Sequence, residues 1–153
     1  GRIFNETLPD RVAQTLRRIA ERDQVEVRKV AILGLAFKGR PETSDMRGSL
    51  AGPLAEAIRG EFPGVTLVGY DPVADAGEVR QAGIEPMAQM SDAFDGADVV
   101  VIQNNHPSFK DMDFARYAAM MNPAGFFYDL WAQNAGRLLE LDGVRYYSLG
   151  ATV

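Results

Sequence analysis

Lys38 is the residue of this chain best placed to meet an anion. It closes the run Lys29-Val-Ala-Ile-Leu-Gly-Leu-Ala-Phe-Lys38, and Thr43-Ser-Asp-Met-Arg-Gly-Ser49 comes soon after. An apolar β-branched run, a glycine, a lysine and a polar turn carrying Asp45 and Arg47 read as strand, phosphate-friendly loop and helix start. Gly34-Leu-Ala-Phe-Lys-Gly39 fits G-x-A-x-x-G, not G-x-G-x-x-G. Ala36 thus stands where a glycine normally lets the backbone approach a pyrophosphate. Lys38 supplies a point charge suited to a phosphate or a sugar hydroxyl; the plainer reading is a tight βα turn with a solvated lysine. An arginine at position 47 can bind a phosphate bidentately, with Asp45 orienting it or capping the helix. On residue type alone, a helix-start aspartate beside an exposed arginine is the commoner arrangement.

Three further strand ends carry polar or aromatic groups. Asp71 comes directly after Val65-Thr-Leu-Val-Gly-Tyr70. An acidic residue there can hold a ribose 2′-OH, yet it lies well beyond the expected spacing of about 20 residues from the glycine loop. Asp71-Pro72 suits a plain turn better. Gln103-Asn-Asn-His-Pro107 directly succeeds a buried run, so its polar groups should point to the crevice outside the strand ends. His106 can donate to a ligand there or act near neutral pH. No partner carboxylate is identifiable, so nothing marks it as a catalytic base. Trp131 comes just after Asp129 and could stack on a base or sugar, though a lone tryptophan more often fills a core or an interface.

Composition narrows the function classes. A chain of 153 residues suits one compact domain with a real core. A formal charge of −5 gives a nucleic-acid role little support. No apolar run is long enough to span a bilayer, and no signal peptide is visible, so a cytoplasmic location is expected. With no cysteine, the chain itself has no disulfide, thiolate zinc site or cysteine nucleophile, and a single histidine makes a histidine-based metal cluster unexpected.

The elements that must position these residues alternate along the chain. Thr7-Leu-Pro-Asp10 reads as a helix start, with Thr7 as cap and Pro9 in the first turn. Leu8, Val12, Leu16 and Ile19 then form one apolar stripe, and the charged residues 17–28 should end that helix in solvent. Val30 to Leu35 is continuous and apolar, as for a strand covered on both faces. A helix is expected from Ser49, a strand over 65–70 and a short helix over 74–81. A short strand should begin at Ile84, with one helical turn over 91–94. A strand over 98–103, a helix over 112–121 and strands at 126–129 and 146–149 complete the reading. This order predicts an α/β fold: a Rossmann-like, mainly parallel sheet with helices on both faces, preceded by one N-terminal helix. The boundary between first helix and α/β body is drawn near 25–28, giving parts 1–28 and 29–153.

Taken together, these motifs resemble the C-terminal nucleotide-sugar-binding domain of the UDP-glucose/GDP-mannose 6-dehydrogenase family. The carrying pieces are Gly34-Leu-Ala-Phe-Lys38 with Ser44-Asp-Met-Arg-Gly-Ser49, then Gly69-Tyr-Asp-Pro72, Ala97-Asp-Val-Val-Val-Ile102, His106-x-x-Phe109 and the aromatic strand ending in Asp129. Residues 1–28 resemble the end of the central helical segment joining the family's two Rossmann-like domains. The resemblance implies that an N-terminal domain binds NAD and the central segment supplies a cysteine. The C-terminal domain then holds the nucleotide part of the substrate. Two hydride transfers oxidise the C6 alcohol of a UDP-sugar to a uronic acid for polysaccharide biosynthesis. Phe37 and Lys38 would contact the nucleotide-sugar, Arg47 would reach NAD, and the parent enzyme would be a homo-oligomer. His106 and Trp131 are further substrate-contact candidates, and no metal is implied.

Two departures qualify the resemblance. The loop between Lys38 and Arg47 is about two residues longer than in many relatives. Leu130 and Trp131 stand where relatives carry a small residue and then a substrate-gripping arginine, which suggests a variant substrate such as an N-acetylated hexosamine. Lacking a cysteine and an NAD domain, the chain is expected to be part of a longer enzyme and inactive alone. The competing reading is a Rossmann-like assembly module that has lost its ligand and associates through Leu8, Val12, Leu16 and Ile19.

Overall fold

The residues of β1 (Lys29–Leu33) dictate a layered structure. Val30 and Ile32 belong to one buried apolar cluster, Ala31 and Leu33 to another. Side chains alternate across a strand, so apolar residues at successive positions require cover on both faces. The computed structural model, which describes residues 2–35, 51–72, 74–103, 113–130 and 145–148, provides it. β2 (Thr66–Tyr70), β3 (Glu85–Pro86), β4 (Val99–Ile102), β5 (Phe126–Asp129) and β6 (Arg145–Ser148) join β1 in one sheet ordered β3-β2-β1-β4-β5-β6. Every pairing is parallel. The Rossmann-like α/β sheet expected from the sequence is therefore present, with an N-terminal helix ahead of it.

Helices occupy both faces. α1 (Arg2–Asp23), α2 (Ala51–Glu61) and α3 (Ala76–Gln81) contribute to the cluster that holds Val30, Ile32, Val99, Val101, Phe126 and Tyr128. α4 (Met90–Phe94) and α5 (Phe114–Ala118) cover the other face, where Phe94 stacks on Tyr117 at 5.0 Å and tilts against Phe127 at 5.8 Å.

α1 differs from its expected outline at both ends. It begins at Arg2, so Thr7 is no cap and Pro9 lies inside the helix. A proline there removes one backbone hydrogen bond and crowds the preceding turn. Tertiary burial outweighs that local rule: Val12, Leu16 and Ile19 are at most 1% exposed, and such packing supplies most helical stability in proteins. The far end is capped rather than frayed into solvent. Gln24 takes a φ of 57°, Val25 N–H donates to the Ala20 carbonyl at 2.8 Å, and Gln24 N–H donates to the Glu21 carbonyl at 3.4 Å. This is the Schellman arrangement, here with glutamine where glycine is usual. Asp23 is then tied to the sheet, accepting from the Tyr147 hydroxyl of β6 at 2.9 Å.

The same burial corrects the assembly reading. Val12, Leu16 and Ile19 pack in the chain's own core, with Leu8 partly buried against it. The stripe is consumed within the chain and is not an exposed face for a second molecule.

At the amino-terminal end of the strands one carboxylate organises the sheet. Asp98, 5% exposed, accepts from the backbone N–H groups of Arg28 at 2.8 Å and Lys29 at 3.0 Å through Oδ2. Its Oδ1 accepts from Asn122 Nδ2 at 2.6 Å. The starts of β1, β4 and the turn into β5 are thereby held together.

Candidate nucleotide-binding site

The strand order reverses between β1 and β4, because chain continuation runs outward from β1 to β2 and β3 on one side and from β4 to β5 and β6 on the other. Open α/β sheets bind ligands outside the carboxyl ends of the strands at such a switch point. Gly34 lies there, immediately after β1. Its φ of 87° is a left-handed conformation that a Cβ would strain. Its N–H donates to the Tyr70 carbonyl at the end of β2, at 2.9 Å. Its own carbonyl accepts from Gln103 Nε2 at 2.6 Å, across the switch point from the end of β4. Gln103 is buried, and its backbone N–H donates to the Leu33 carbonyl at 2.8 Å.

Leu35 is held as firmly. Its N–H donates to Asp71 Oδ2 at 2.7 Å, while Asp71 Oδ1 accepts from Ala74 N–H at 2.9 Å. The Leu35 side chain, 1% exposed, fills the space over Gly69: a Cβ there would lie 3.0 Å from Leu35 Cδ1 and 2.8 Å from Ile84 Cγ2. Glycine in β2 is therefore a packing requirement of the turn.

Phe37, Lys38, Asp45 and Arg47, together with His106 and Trp131, lie outside the described residues. The residues that lead into their segments are described. Leu35, Gln103 and Leu130 stand just beyond the ends of β1, β4 and β5, which are neighbours in the sheet, and Leu130 N–H donates to the Ile102 carbonyl at 3.0 Å. The segments carrying Lys38, His106 and Trp131 thus leave from adjacent strand ends. Asp129, fully buried, closes β5 and accepts from the Tyr146 hydroxyl at 2.8 Å.

At this edge the turn expected at Asp71-Pro72 is observed, whereas Gln103 faces into the protein rather than the crevice. Asp71 acts as the turn residue, with each carboxylate oxygen accepting a backbone N–H. Gln103 directs its amide at the glycine turn. The link from Gln103 to Gly34 spans 69 positions in sequence, so no local spacing could have signalled it. Burial, with the Asp71 charge next, raises the Tyr70 phenol above its ordinary value; burial likewise raises Tyr128, against the opposing charge of Arg18. Both phenols stay neutral near physiological pH.

A dinucleotide such as NAD is usually held by glycine-loop amides and an acidic residue at the end of the second strand. Here the Gly34 and Leu35 N–H groups and Asp71 are engaged with one another or with the sheet. In the described turn, Asp71 thus serves to hold backbone N–H groups. Among the described residues no group of three or more histidine, cysteine, aspartate or glutamate side chains is placed to hold a metal, and no helix is long and apolar enough to cross a membrane.

Residues 31–134 match the UDP-glucose/GDP-mannose dehydrogenase family, UDP binding domain. The chain belongs to this family. The match runs through the segments that hold Phe37, Lys38, Arg47, His106 and Trp131. A UDP-glucose 6-dehydrogenase of Haloferax volcanii is 36% identical over 110 residues, covering 71% of this chain and 24% of the relative. A UDP-N-acetyl-D-mannosamine dehydrogenase of Methanocaldococcus jannaschii is 30% identical over 113 residues, covering 74% and 23%. Among solved structures, the UDP-D-ManNAc dehydrogenase of Pyrococcus horikoshii superposes with a TM-score of 0.72 at 26% identity, over 97% of this chain and 32% of that one. The chain thus spans about a quarter of the length of these curated relatives.

Proposed function

We propose that this chain is the nucleotide-sugar-binding part of an NAD-dependent dehydrogenase that oxidises the C6 alcohol of a UDP-sugar to a uronic acid. The observation that carries the reading is that Leu35, Gln103 and Leu130 leave the neighbouring carboxyl ends of β1, β4 and β5, at and beside the switch point of a sheet in a UDP-binding-domain family. Phe37 and Lys38 contact the nucleotide-sugar, with His106 and Trp131 as further contacts, and Arg47 reaches toward NAD held mainly by other polypeptide. When bound, NAD supplies the hydride acceptor; this chain's residues bind and orient the substrate. The relatives that act on UDP-N-acetyl-D-mannosamine, and the Leu130-Trp131 pair, favour an N-acetylated hexosamine as the sugar. The parent enzyme works in the cytoplasm as a homo-oligomer, and this chain alone oxidises nothing.

Titration calorimetry of the chain with UDP, UDP-glucose, UDP-N-acetylmannosamine and NAD tests the reading. UDP and its sugars should bind and NAD should not. Lys38→Ala should weaken UDP about tenfold, the loss expected for one charge-assisted phosphate contact. No heat with any UDP compound, or equal affinity in Lys38→Ala, would contradict it.

A further inference from the structure

We propose that Asp71 and Gln103 are positioning residues for the nucleotide site, clamping the Gly34–Leu35 turn from the strands on either side of β1. The proposal rests on the nucleotide-binding reading above. From β2, Asp71 Oδ2 accepts the Leu35 N–H at 2.7 Å. From β4, Gln103 Nε2 donates to the Gly34 carbonyl at 2.6 Å. The two bonds meet at consecutive residues from opposite directions, so neither strand can shift along β1 without stretching one of them. Asp71 is itself fixed, because its other oxygen holds Ala74 N–H at 2.9 Å.

The clamp differs from the usual use of the same positions. In dinucleotide-binding sheets the acidic residue after the second strand faces outward to a ribose. Here that carboxylate turns inward and accepts a hydrogen bond from the Leu35 N–H. Gln103 likewise ties the Gly34 carbonyl to the end of β4 through its amide N–H. Lys38 inherits the consequence, because it lies only three residues beyond Leu35, within about 11 Å even for a fully extended chain. An anchor so close in sequence sets the origin from which that cation must reach a phosphate, and small misplacements of binding groups are costly.

The test pairs calorimetry of UDP binding with thermal unfolding, on the whole chain. Asp71→Ala and Gln103→Leu should each weaken UDP about tenfold at a temperature where both remain folded. The double variant should lose clearly less than the product of the two, since both groups hold one turn. A general loss of stability would not produce that coupling. If Asp71→Ala fails to fold, Asp71→Asn, which can keep one of the two acceptances, and Gln103→Glu, which sets an acceptor against the Gly34 carbonyl, carry the same expectation. UDP binding by the unaltered chain that the folded variants retain within twofold, or fully multiplicative losses, would overturn the proposal alone. Absence of UDP binding by the unaltered chain would overturn the nucleotide reading and the proposal with it.

Discussion

Asp98 shows how much one buried carboxylate can hold. Two backbone N–H groups and the Asn122 amide converge on it at 2.6 to 3.0 Å. Asp98→Ala would leave all of these donors without their acceptor in a site that water reaches poorly. A buried polar group stripped of its partner costs about 1–3 kcal/mol, and more is lost when the partner was charged. Urea denaturation should therefore show Asp98→Ala destabilised by about 3 kcal/mol, while UDP affinity is unchanged because the residue lies at the opposite end of the sheet. None of this is legible locally. The N–H groups it accepts lie 69 and 70 positions away. Asp71 was half legible: its bond to Ala74 is the local turn that Asp-Pro suggests, whereas its bond to Leu35 spans 36 positions.

Elements were easier to read where burial and local preference agree. The strand at 126–129 is observed as expected, because its aromatic residues favour a pleated, buried surface. The first helix was harder, because proline and threonine obey local rules that its packed stripe overrides. Its junction with β6 makes a separate prediction. Arg22 donates to Asp23 Oδ1 at 3.1 Å and to the Tyr147 hydroxyl at 2.6 Å. The Arg22 bond is the main cause holding the Asp23 carboxyl below its ordinary 3.8; burial opposes it, and Tyr147 and the Arg22 and Arg145 charges assist. A depressed carboxyl adds stability above its unfolded pKa and loses it as pH falls through the folded value. Arg22→Ala should therefore move the Asp23 titration, tracked by NMR, up toward 3.8. The accompanying stability loss should be small at neutral pH, since the pair is solvent-screened, and should vanish as the pH falls through the folded Asp23 value, below 3.8. A loss of equal size at every pH would show that Arg22 acts through packing instead.

At the scale of the whole molecule, the parallel sheet divides its labour between its two ends. Asp98 and Asn122 fasten the amino-terminal end; the glycine turn, Gln103 and Leu130 gather at the carboxyl end. The alternation of strands and helices made that polarity legible, since parallel strands joined by crossovers must all present their carboxyl ends to one edge. The contacts that set the turn were not, because they join residues that only the folded sheet brings together. The most direct measurement is a map of backbone amide chemical shifts as UDP is added to the chain. Saturable shifts should centre on Gly34, Leu35, Gln103 and Leu130, with Lys29, Asp98 and Gly125 unmoved. No saturable change, or shifts centred on Asp98 and Gly125, would contradict binding at the carboxyl end.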